Sequence, residues 1–319
     1  YTSTLQQLGI EVLYGDAYAT GIWDWLKKNG DEISFAYLNR HHIATKYVDF
    51  IKDYTKIKVI YFGHDLHFLR LSREYELSGD IEIKREADYW KSMELTMMYK
   101  ADISYFPSYV EIDVIHSIDA SIRAKAISLY VYDTFLSNIQ EDFAKRENIM
   151  FVGGFAHPPN ADGVLWFARE VFPKIRERFP QVLFYIAGSK MTDEIKALAQ
   201  PESGIVIKGF VSDEELAKMY AECKVAVVPL RYGAGVKGKV LEALYNGIPL
   251  VTTTIGAEGI PFVENALEIS DDPEGFAEKV IGLYGDNERC KQLSRKTQEY
   301  IRRHFSLDGA WKIIEEDFT

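Results

Sequence analysis

VAVVPLRYGAGVKGKVLEALYNGIPLVTTTIGAEG, residues Val225–Gly259, decides the fold class. An apolar, β-branched run closes at Pro229 and predicts a buried strand of a parallel sheet. A loop follows with Gly233, Gly235 and Gly238 and two cations, Lys237 and Lys239. A helix is predicted over Lys239–Asn246, ended by Gly247, and a second strand over Leu250–Thr253. Glycines let backbone approach a ligand closely. The amides at a helix N-terminus attract phosphate. Glu242, one turn into the helix, is placed to accept hydrogen bonds from ribose hydroxyls. The stretch therefore suits a nucleoside diphosphate. It also matches G-x-G-x-x-G, with Glu258 about twenty residues further on, which keeps a dinucleotide-dependent oxidoreductase open as an alternative. Against that stand the shortness of the helix and the place of Glu258, beyond a Thr-rich strand end.

Outward from this stretch the pattern repeats. Toward the C-terminal side of the chain, strands are predicted at Ile149–Val152, Val182–Ala187 and Ile205–Lys208, besides the two above. Helices are predicted near Ala161–Arg178, Asp193–Ala199, Ser212–Glu222 and Pro273–Tyr284, with a last amphipathic helix over Leu307–Phe318. Ser212 and Glu215 have capping-box spacing. Gly153-Gly154, Gly188 and Gly209 stand at strand ends, where open α/β sheets place their binding loops. In the first half, strands are predicted at Ile10–Tyr14, Ile33–Leu38, Lys58–Phe62, Ile103–Phe106 and Ala126–Val131, and one or two helices between Arg70 and Lys100. Alternating strands and helices imply βαβ units and mostly parallel sheets. A length of 319 residues fits two such domains of about 150 residues each. The boundary is expected in the polar segment Ser137–Asn148. The chain opens without Met, inside a predicted helix at Tyr1–Leu8, so truncation is expected.

Composition narrows the function classes. Hydrophobic residues make up 47% and charged residues 27%, as in a globular protein. A net charge of −11 argues against nucleic acid as a partner, because binding to its backbone needs a basic footprint. Two or three local cations suffice for a small phosphorylated ligand. The two cysteines, Cys223 and Cys290, lie far apart and suggest neither a disulfide framework nor a metal site. A cytoplasmic location is the default. No run of about 18 apolar residues suggests a transmembrane segment, which leaves peripheral membrane contact open. No metal or cofactor is expected. His64 and His67 lack an evident third ligand. His41-His42 read as the capped or solvated start of a helix, Arg40 as a candidate to face a cleft, and Glu111 as a helix start or a cleft residue.

The stretch PLRYGAGVKGKVLEALYNGIPLVTT resembles the donor-site signature of the retaining group 1 glycosyltransferases. VGGFAHPPNADGVLWFAREVFP, Val152–Pro173, resembles the opening of the C-terminal domain in one branch of that family. The resemblance is strongest over Ile149–Gly259. It implies a GT-B-like fold: two Rossmann-like domains facing a cleft, the first apparently lacking its first strand. The expected division is 1–143 on the acceptor side, 144–303 for nucleotide-sugar binding, and 304–319 as a helix returning to the first domain. The implied reaction is transfer of a sugar from a nucleoside diphosphate sugar, the donor substrate, to a hydroxyl of a glycan or lipid-linked acceptor, with retention, in glycan or surface polysaccharide biosynthesis. The resemblance assigns the donor ribose to Glu242. It implies a catalytic role for His64, at the end of a first-domain strand. Lys237, Lys239, Gly233, Gly235, Gly154 and Gly209 complete the expected donor site. Two departures stand out. Many members carry a glutamate at the position of Ala234. Many also carry an Arg and a Lys in the loop that here reads Gly153–His157. Diphosphate neutralisation then falls on Lys237 and Lys239, and a non-catalytic nucleotide-sugar-binding module remains an alternative.

Overall fold

The computed structural model describes residues 2–128, 130–136 and 142–318. It contains two parallel sheets. In the first, β1 (Phe35–Asn39), β2 (Lys58–Phe62), β3 (Ile103–Phe106) and β4 (Ala124–Ala126) lie side by side in chain order. In the second, β5 (Glu147–Val152), β6 (Phe184–Ala187), β7 (Ile205–Gly209), β8 (Cys223–Val228), β9 (Leu250–Thr252) and β10 (Glu268–Ile269) take the order β10-β9-β8-β5-β6-β7. Every strand pair is parallel. The chain therefore runs outward one way from β5 and outward the other way from β8. The crevice beyond the carboxyl ends of these two neighbours is where such sheets bind ligands.

Burial explains the strand composition. All six residues of β8 are buried, so a strand covered on both faces reads as a continuous apolar run rather than an alternation. Two apolar clusters flank the second sheet, one around Leu241, Leu244 and Leu250, the other around Phe167, Phe172 and Phe276. A third, with Val48, Tyr61, Met97 and Phe106, fills the first domain.

Several expectations are corrected. Ile10–Tyr14 forms no strand. Ile10 and Tyr14 are exposed, and no neighbouring strand among the described residues satisfies their backbone. The helix expected over Ala161–Arg178 is three pieces: Pro158–Trp166, a π-type turn Phe167–Val171, and Phe172–Arg178. Pro173 supplies the reason, because proline lacks an N–H and its ring crowds the carbonyl four residues back. The expectation of one or two helices between Arg70 and Lys100 holds, with two: His67–Ser78 and Ile81–Lys100. They part where Gly79 takes a left-handed conformation (φ 69°) and Asp80 caps the second helix by accepting from Glu82 N–H at 2.9 Å. The strand expected at Ala126–Val131 lies earlier, at Ala124–Ala126; Leu129 is outside the described residues, as are 137–141 in the expected boundary segment. The capping box of Ser212 and Glu215 forms at the start of the helix Asp213–Glu222.

The chain end packs on the first domain. Asp317 accepts from Tyr105 Oη at 2.5 Å and from Lys125 Nζ at 2.7 Å, and Phe318 lies 5.2 Å from Phe35 between ring centroids. Among the described residues no helix is long and apolar enough to cross a membrane.

Candidate active site

β8 delivers Pro229 to the crevice. The loop beyond it turns through Gly233 (φ 146°) and Gly235 (φ 72°), conformations that favour glycine. The helix Gly238–Tyr245 then begins, with Lys237 as its N-cap. Beside its first turns lies a cavity of about 640 Å³. Gly238, Lys239, Glu242 and Asn246 line it from the helix, Gly154 and Asn160 from the segment after β5, and Tyr130 and Tyr132 from the interdomain connection. Tyr132 stacks on Tyr245 at 4.4 Å and 11°, forming an aromatic wall. The Tyr130 hydroxyl overlies Gly238 so closely that a Cβ there would overlap it.

Lys239 is the cation of this cavity. Its Nζ donates to Asn160 Oδ1 and lies 5.0 Å from the centroid of the Phe151 ring. Asn160, buried, in turn donates to the Gly154 carbonyl at 2.7 Å. Burial, and secondarily Lys237, pushes the Lys239 amine down to about 7. Lys237 faces elsewhere. Its Nζ donates to the Gly235 carbonyl and stands 3.8 Å from Glu258 Oε2, and burial pushes it down to about 8. The two lysines thus share the loop but not the cavity. Glu242 is half-buried on the cavity wall, and that burial raises its carboxyl above the ordinary range. Gly209 (φ 71°) is not part of this wall; it accepts from Gly188 N–H at 2.7 Å, one strand further out. The helix start, Gly154, Lys239 and Glu242 can together hold an anionic group and a vicinal diol.

The first domain supplies the opposite side. The backbone carbonyl of His64 and the Cβ of Asp65 would lie 3.4 and 3.5 Å from a Cβ placed on Gly235. His64 itself has φ 53° and a ring nitrogen against Asn39 Oδ1. Burial and then Arg40 lower its pKa. Arg40 precedes the helix His41–Tyr54 at φ 71°. His67 serves the fold: it stacks on Trp90 at 4.4 Å, and buried Glu94 accepts from both its Nδ1 and its backbone N–H at 2.9 Å. Glu111 takes both readings open to it. It closes a capping box with Ser108, accepts from Leu66 N–H at 3.2 Å, and faces Gly235 across the cleft. Burial and then Asp65 raise its carboxyl to about 8.

Three contributors escape a reading of local motifs. Asn160 sits in the PPN step after the Gly-Gly loop, which is the signal that marks it. Tyr130 and Arg73 carry none. Arg73, on the first-domain helix, donates across the cleft to both oxygens of Glu258 at 2.6 Å and to the Gly233 carbonyl at 2.7 Å.

Comparison with known proteins agrees with this geometry. Residues 146–286 match the profile of the glycosyl transferases group 1. A curated relative, the uncharacterized 44.6 kDa protein in the cps region of Klebsiella pneumoniae, is 29% identical over 173 residues, 52% of this chain and 45% of the relative. The chain thus spans about half the length of that relative. Solved structures share the fold at low identity. A point mutant of TarM of S. aureus, in complex with Fondaparinux, alpha-GlcNAc-glycerol and UDP, superposes with a TM-score of 0.71 at 14% identity, covering 93% of this chain and 58% of its own. HepE of Anabaena, in complex with UDP and glucose, gives 0.68 at 16%, with 99% and 88% covered. Sucrose-phosphate synthase of Thermosynechococcus elongatus gives 0.72 at 14%, with 97% and 79% covered. Two parallel-sheet domains face each other as in these GT-B structures, and residues 146–286, a little under half of the chain, resemble the group 1 glycosyltransferases.

Proposed function

We propose that the protein transfers a sugar from a nucleoside diphosphate sugar to a hydroxyl of a glycan or lipid-linked acceptor, with retention, in surface polysaccharide synthesis. The observation that carries this is the joint presence of Lys239, Glu242 and the start of a helix around one cavity at the switch point of the second sheet. In this reading the diphosphate sits at the N-terminus of Gly238–Tyr245, against Lys239 and Gly154. Glu242 takes the ribose hydroxyls. His64 faces the donor sugar from the first domain. Lys237, turned to Gly235 and Glu258, supports the loop beside the diphosphate rather than the cavity itself. No nucleophile is needed: in front-face transfer the leaving diphosphate takes the acceptor proton, and the protein positions and stabilises charge. The cps-region relative supports the pathway, and the UDP complexes of TarM and HepE favour uridine among the nucleotides.

The oxidoreductase reading loses its acidic ribose contact, because Arg73 engages both oxygens of Glu258. A panel of UDP- and GDP-sugars with simple alcohol acceptors tests the proposal. Release of nucleoside diphosphate with an axial-for-axial product by NMR supports it. Tight nucleotide binding with no turnover for any donor would make the protein a binding module, and a product of opposite anomeric configuration would remove the retaining assignment.

A further inference from the structure

The donor reading leaves one cross-cleft contact unused. Arg73 and Glu258 lie in different domains, and each is largely shielded, with side-chain exposures of 22% and 10%. Their contact is bidentate, NH1 to Oε2 and NH2 to Oε1, both at 2.6 Å. The same NH1 reaches the Gly233 carbonyl at 2.7 Å. A planar fork that fills both oxygens of a carboxylate and a neighbouring carbonyl fixes geometry in a way a point charge cannot.

What it fixes is the glycine loop. Gly233 and Gly235 both take left-handed backbone conformations, and glycine loses more conformational entropy on ordering than any other residue. A loop of this kind, left to itself, has to be ordered by its ligand. We propose that Arg73 is a positioning residue of the donor site, holding the Gly233–Lys237 loop from the opposite domain in the shape that receives the diphosphate. The inference rests on the donor reading given above.

The contact has a second consequence for charge. Lys237 Nζ stands 3.8 Å from Glu258 Oε2, an oxygen that Arg73 already engages. With Arg73 removed, Glu258 has Lys237 as its nearest cation. Arg73 therefore both shapes the loop and shares the charge of Glu258 with the loop's last residue.

The test uses the full chain with Arg73→Met, Arg73→Lys, Glu258→Gln and the Met/Gln double variant. UDP and uridine affinities are measured by calorimetry, and amide hydrogen exchange is followed over residues 230–240. The proposal expects UDP affinity to fall about tenfold in Arg73→Met, a coupling of ordinary size, while uridine affinity holds. It expects faster exchange confined to the loop, partial recovery in Arg73→Lys, and a double variant no weaker than the singles. Unchanged UDP affinity and loop exchange in Arg73→Met overturn it. So does equal acceleration of exchange across the whole second domain with a large fall in Tm, which marks a merely structural pair. If the wild type binds no nucleoside diphosphate, the donor reading fails, and loop exchange in Arg73→Met alone decides whether Arg73 holds the loop.

Discussion

At the residue scale, the proposed function has Glu242 and Lys239 divide the donor between them. Glu242→Ala is expected to weaken UDP binding by about 1.5–3 kcal/mol, the range for a hydrogen bond to a charged group; unchanged calorimetric affinity contradicts the ribose assignment. Lys239→Gln is expected to weaken UDP more than uridine, because it removes charge beside the diphosphate alone. The pH dependence follows from burial. Both lysines sit below their unfolded pKa, at about 7 and 8, because burial penalises the charged amine. Their protonation therefore costs stability in full below about 7–8, and the cost fades as pH rises from there to the ordinary lysine value of 10.5. A diphosphate bound in the cavity reverses the penalty at Lys239, so binding takes up protons in that window. UDP affinity should fall between pH 7 and 9, and the heat of binding at pH 8 should vary with the ionisation enthalpy of the buffer. A heat independent of buffer contradicts lysine recharging. His64→Asn, which tolerates the left-handed backbone, should lower turnover with Tm nearly unchanged; full turnover with a lowered Tm makes His64 a structural residue. Glu242 and Lys239 were legible in sequence because both are local to one loop and helix. Asn160, Tyr130 and Arg73 reach the site from segments 79, 108 and 160 positions away from Lys239, Gly238 and Gly233, and no periodicity encodes such meetings.

At the element scale, the second sheet was legible nearly strand for strand, since buried parallel strands carry continuous apolar runs such as the VAVV of Val225–Val228. The failures have local causes. Asn287–His304 is an 18-residue helix that hydropathy hides: its buried face includes Cys290, Ser294 and Thr297, and its surface is charged. Ile10–Tyr14 is apolar enough for a strand but has no ladder partner among the described residues. β10 has only two residues, Glu268 and Ile269, too few for a pattern. The helix Gly238–Tyr245 yields its own prediction. A methyl group at Gly238 meets the Tyr130 ring and hydroxyl. Gly238→Ala should cost about 1–3 kcal/mol as an overpacked site, and Tyr130→Ala should restore most of it. Chemical denaturation of both single variants and the double checks this; additive losses contradict the contact.

At the scale of the whole molecule, two sheets of different strand number meet across a cleft, and the chain end closes back on the first. Those contacts carry the helix Gly238–Tyr245 with its glycine loop and His64 to one place, although they come from opposite domains. The central claim is that the second domain binds a nucleoside diphosphate at Lys239 and Glu242. Calorimetric titration of UDP into the wild type and into Glu242→Ala tests it most directly. The account predicts saturable one-site binding to the wild type, weakened at least tenfold in the variant. Wild-type affinity retained in Glu242→Ala, or no binding of UDP, GDP or any other nucleoside diphosphate to the wild type, would contradict it.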